Sequence, residues 1–117
     1  EYDITAADRA EGEDILLAEI TRHLDALPTD KQVMLKLSIP ATAGLYTPLV
    51  SHPKVLRVVA LSGGFSTDDA CAHLARNPGM IASFSRGLLQ DLRKGQSDAE
   101  FDAVLGKAID QIAAASV

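Results

Sequence analysis

Two nearly unbroken apolar runs divide the chain, Val33 to Ile39 and Val55 to Leu61, and a shorter third spans Met80 to Phe84. Uniformly apolar runs of this length, rich in Val, Leu and Ile, read as strands covered on both faces in a parallel sheet. The segments between them follow helical spacing. Leu16, Ile20, Leu24 and Leu27 form one stripe behind the N-capping side chains of Thr5 and Asp8, and Pro28 ends it. Glu11, Glu13 and Asp14 suit the positive end of that helix. Leu45 to Val50 is long enough for one or two helical turns before His52-Pro53. Ser66 with Asp69 caps a helix running to about Arg76, after which Asn77-Pro78-Gly79 turns the chain. Ser85 to Leu92 reads as helical. Ser97 with Glu100 opens the best-defined helix, with Phe101, Val104, Leu105, Ala108, Ile109 and Ile112 on one face.

The order is thus helix and strand in alternation, which calls for parallel strands joined by crossovers, in an α/β layer or a (β/α) barrel. Ligands in both architectures bind at the carboxyl ends of the strands. Three such ends are legible: Lys36 to Pro40, Leu61 to Gly64, and Ser83 to Gly87.

Length and charge narrow the function. A chain of 117 residues makes one domain at most. With a net charge of -5 and no cluster of Lys and Arg, it offers no face for nucleic acid. There is one cysteine, Cys71, which reads as a small packed thiol. No apolar run reaches the roughly eighteen residues of a membrane span. We expect a cytoplasmic protein with neither nucleic-acid nor membrane partners. His23 and His73 fall within helices and His52 in a loop, and no spacing of Cys, His, Asp and Glu resembles a metal site, so no metal and no cofactor is expected. Neither Ser62 nor Ser66 sits in the Gly-x-Ser-x-Gly pattern of a hydrolase elbow.

Candidate chemistry sits at the strand ends. Lys36 is the sole charge within its apolar run. Desolvation there favours the neutral, nucleophilic amine that forms Schiff bases with carbonyl substrates. The plainer alternative is a lysine that points outward and guards a sheet edge. Ser62-Gly63-Gly64, between an apolar strand and a capped helix, suits a phosphate, because glycines let backbone N–H groups approach an anion. A turn needed only for tight geometry would use the same glycines. Ser83 and Arg86 offer a hydroxyl and a guanidinium to the same phosphate.

Four stretches together resemble the C-terminal portion of bacterial class I fructose-1,6-bisphosphate aldolases: Val33-Met34-Leu35-Lys36, Val58 through Gly64, Ile81 through Arg86, and the closing Ile112 to Val117. The resemblance covers nearly the whole chain. It implies the last part of a (β/α)8 barrel, strands six to eight with their helices, entered at the end of strand five. Residues 1–117 would then be part of a single barrel domain, incomplete without its N-terminal part as partner. Lys36 looks like the lysine that forms an iminium with the phosphorylated sugar substrate. Ser62, Gly63, Gly64, Ser83 and Arg86 look like its phosphate ligands. Glu1 resembles a second carboxylate at the end of strand five, while the acid/base residue itself would precede this chain, leaving it inactive alone. Two alternatives stand beside this one: a catalytically silent phosphate-binding α/β module, and another Schiff-base lyase on the same barrel.

Overall fold

The computed structural model describes residues 2–28 and 30–116. Its elements follow in the order α1 (Arg9–Ala26), β1 (Val33–Ser38), α2 (Thr47–Val50), β2 (Val55–Leu61), α3 (Thr67–Leu74), β3 (Met80–Ala82), α4 (Ser85–Leu89) and α5 (Asp98–Ala114). The fold is α/β. Its parallel sheet has three strands in the order β1-β2-β3, with Lys36 beside Val59 and Val59 beside Ile81. Expected and observed elements agree closely at β2 and α5. Three ends are shorter than the sequence implies: β3 stops at Ala82, α3 at Leu74 and α4 at Leu89.

Side chains paired across a parallel ladder share a face of the sheet, so the register sorts the strands into two sets. Leu35, Leu37, Val58, Ala60 and Met80 belong to the set that packs with Leu24 of α1, Leu49 of α2, and Ala70 and Leu74 of α3. Val58, Ala60 and Met80 are at most 1% exposed. Met34, Lys36, Arg57, Val59, Leu61 and Ile81 belong to the other set, and Met34 is 58% exposed. The expectation that β1 is covered on both faces is therefore corrected. Helices cover one face and leave the other open except at its carboxyl end, where Ser38, paired with Leu61, is buried and bonded to the Tyr2 backbone; the strand composition alone does not reveal this.

The open face leaves its mark on the dimensions. The radius of gyration is 16.0 Å, where a compact domain of this length has about 13 Å. Helix α5 contributes to the same excess. Its capping box forms as expected, Ser97 accepting from the Glu100 N–H and Glu100 from the Ser97 N–H, but none of its residues is buried before Ala115. Phe101 and Ile109, on its expected apolar face, are 39% and 48% exposed.

Polar contacts fasten the helices to the strands. Lys54, just before β2, donates from Nζ to the carbonyls of Leu24, Asp25 and Leu27 at 2.9, 3.1 and 2.7 Å, closing the C-terminus of α1. His52 Nε2 lies 3.2 Å from Asp25 Oδ1 at the same end. Asp8 does precede α1 as its N-cap, but its side chain makes no capping bond, and the Thr5 hydroxyl donates to Asp3 instead.

Candidate functional site

Each strand ends by turning toward the next helix, and three of these ends converge. Lys36 of β1, Leu61, Ser62 and Gly63 at the end of β2, and Ser83, Ser85 and Arg86 after β3 line one cavity of about 160 Å³. Four of the expected phosphate-site residues and the expected amine thus meet in one place. Gly64 adjoins the cavity in sequence without lining it. Glu1 lies outside the described residues.

The β2 turn is held by its backbone. Gly63 and Gly64 have φ values of 63° and 99°, the left-handed region that side chains resist, and the Phe65 N–H closes the turn on the Ser62 carbonyl at 3.0 Å. Ile4 packs over it, so a methyl at Gly63 would come within 3.2 Å of Ile4 Cγ2. Ser62 is buried. On the next strand the Ser83 N–H donates to the Ala60 carbonyl at 2.7 Å, extending the β2–β3 pairing by one residue and setting Ser83 level with the turn. Thr67, at the start of α3, donates its hydroxyl to the Gly87 carbonyl at 2.7 Å and its N–H to Gln90 Oε1 at 3.0 Å. That stitch holds α4, and with it Arg86, against the β2 turn.

Lys36 is exposed rather than enclosed, because it lies on the open face. The desolvation invoked for it from the sequence is therefore absent from this chain on its own. A lysine, a buried serine, a glycine turn and an arginine thus surround one small cavity, and hydroxyl, guanidinium and glycine-turn N–H groups are of the kinds that can bind an anion.

Behind the site lies a charged cluster that sequence reasoning missed. Arg9 Nε donates to Glu13 Oε1 at 2.7 Å, with the Arg9 side chain 10% exposed and that of Glu13 fully buried. Arg9 also donates to the carbonyls of Ile39 and Ile4, and its guanidinium sits 5.9 Å from the centre of the Phe65 ring. Glu13 Oε2 accepts from the Ala41 N–H at 2.7 Å. One ion pair thus ties the end of β1 to the residue that follows the glycine turn. The i, i+4 spacing of Arg9 and Glu13 is the signal for it, masked in the sequence because a carboxylate there also suits the helix dipole. Burial, and next the charge of Glu13, pushes the nearby Tyr46 phenol up to about 12. Burial, and next Asp68, raises the Cys71 thiol, in keeping with a packed side chain.

The polar residue Asn77 does more than turn the chain. Buried, it accepts from the Gly44 N–H at 2.9 Å and donates to the His73 carbonyl at 2.9 Å. No group of His, Cys, Asp and Glu among the described residues is arranged to hold a metal ion, and no described helix is long and apolar enough to cross a membrane. No family model matches the chain.

Proposed function

We propose that this chain is the lysine-bearing C-terminal portion of a class I fructose-1,6-bisphosphate aldolase, completing a (β/α)8 barrel with an N-terminal portion of the same enzyme. The observation that carries the reading is the convergence of Lys36, Ser62, Gly63, Ser83 and Arg86, drawn from three successive parallel strands, on one cavity at the carboxyl ends of the strands. Helices confined to one face of the sheet agree with it, since a barrel keeps its helices outside and its strand interior for side chains.

The mechanism follows from those groups. Lys36 Nζ attacks the ketone carbon of the substrate, and loss of water leaves an iminium. That iminium accepts the electron pair released when the bond between the two triose halves breaks, so glyceraldehyde 3-phosphate departs and an enamine of dihydroxyacetone phosphate stays on the lysine. Protonation and hydrolysis then free the second product. The glycine turn, Ser83 and Arg86 bind phosphate away from the reacting carbon and supply positioning. The proton-transfer groups belong to the N-terminal portion, and enclosure by that portion supplies the desolvation that makes Lys36 nucleophilic.

Exposure of Lys36 favours a second reading, a phosphate-binding module in which the amine is only an electrostatic contact. Borohydride trapping with dihydroxyacetone phosphate separates the two. Peptide mass spectrometry on the chain, alone and with its N-terminal portion, is expected to find the reduced adduct on Lys36. Phosphate binding without any adduct would leave only the module.

A further inference from the structure

The open sheet face carries two cations among apolar side chains. Lys36 belongs to the cavity at the carboxyl end, but Arg57 is paired with Met34 at the opposite end of the strands, about 13 Å along β2 from Leu61. Neither Met34 nor Arg57 is covered. Among the described residues Arg57 makes no ion pair, and its neighbours on this face, Met34, Val59 and Ile81, are apolar.

The accessible surface of 7015 Å² exceeds by about 900 Å² that of a compact monomer of this mass. That excess, which the open sheet face shares with α5, is on the order of what one partner buries in a stable protein interface, about 800 Å². A surface that covers Val59 and Ile81 must also take Arg57 out of water, and a guanidinium withdrawn from water requires a counter-charge.

We propose that the open face is an interface whose occupant sets a carboxylate against Arg57 within an otherwise apolar contact. The occupant is the N-terminal portion of the same enzyme, so the inference rests on the barrel reading and adds the chemistry by which the two portions recognise each other. A second copy of this chain is the poorer fit, since its own open face presents the same two cations and would set like charges together.

The test mixes the chain with the polypeptide its own reading frame encodes upstream, and measures association by titration calorimetry and sedimentation for the wild type, Arg57→Met and Arg57→Glu. Arg57→Glu is expected to weaken association about a hundredfold or more relative to Arg57→Met, since it opposes two carboxylates. Melting of the isolated chain is expected to be the same for all three, because position 57 is exposed there. Equal affinity of Arg57→Glu and Arg57→Met for the upstream polypeptide would overturn the carboxylate. Self-association alone, or no association, would overturn the occupant. Trapping at Lys36 reports separately on the aldolase chemistry, so an adduct with no effect of charge at position 57 would sink this inference and spare the function.

Discussion

Replacing Arg9 with methionine leaves Glu13 as an uncompensated charge in the interior. The Glu13 side chain is fully buried, and it keeps only the Ala41 N–H at 2.7 Å once the guanidinium at 2.7 Å is gone. Breaking a buried pair from one side costs about 3 to 5 kcal/mol. The Ile39 carbonyl loses its donor as well, adding about 1 kcal/mol. For a domain whose stability is on the order of 5 to 15 kcal/mol, that is about a quarter or more of the total. The double variant Arg9→Met/Glu13→Leu removes both charges and fills the same space, so it is expected to be less damaged than Arg9→Met, costing about 1 to 3 kcal/mol. Urea unfolding followed by circular dichroism on the wild type, both single variants and the double variant gives the coupling energy. We expect at least about 2 kcal/mol. Additive single and double effects, or a double variant less stable than Arg9→Met, would refute the reasoning that the two charges stabilise the fold chiefly by neutralising each other.

Three further outcomes follow from separate parts of the molecule. Lys54→Met removes the donor shared by three carbonyls at the end of α1 and is expected to cost about 1 to 2 kcal/mol by urea unfolding, with loss of helix signal confined to that terminus. Tyr46, with its folded pKa raised to about 12 from an ordinary 10.0, keeps its proton in the folded state after the unfolded chain has lost it. Its contribution is complete below pH 10 and is lost as pH rises from there through 12, about 2 to 3 kcal/mol in all. Stability measured at pH 9 and pH 11.5 is expected to fall less in Tyr46→Phe than in the wild type. Gly63→Ala forces an alanine to φ 63° against Ile4. It is expected to lose about 1 to 2 kcal/mol of stability and to weaken inorganic phosphate binding read by calorimetry, while Gly95→Ala, in open space, changes neither by more than about 0.5 kcal/mol.

Local chemistry was legible in the sequence where the signal is local. β2 runs from Val55 to Leu61 as its composition implies, and Ser97 with Glu100 makes both bonds of the expected box. The candidate site was legible for a related reason, since its residues lie in or just after the carboxyl halves of strands that alternation alone identifies. What the chain does not spell out is which face of a strand finds cover. Val33 to Ile39 is apolar throughout apart from Lys36 and Ser38, so composition cannot tell that Leu35 and Leu37 meet helices while Met34 meets none. The same gap explains α5, whose apolar stripe is real but whose Phe101 and Ile109 stay 39% and 48% exposed. Contacts between distant polar residues, such as Asn77 with the Gly44 N–H, lie beyond any pattern read within one segment.

The strand order β1-β2-β3 also bears on how the chain is made. Spatial order repeats synthesis order, so each strand leaving the ribosome joins an edge laid down by the one before it. Within the described sheet neither β2 nor β3 waits for a partner still to be translated, and the loops to be closed are those of single crossovers, which keeps the entropy of each pairing step low. The sheet therefore grows in one direction, from β1 outward, with the serine and glycines of the β2 turn in place before Ser83 and Arg86 arrive to complete the cavity beside them.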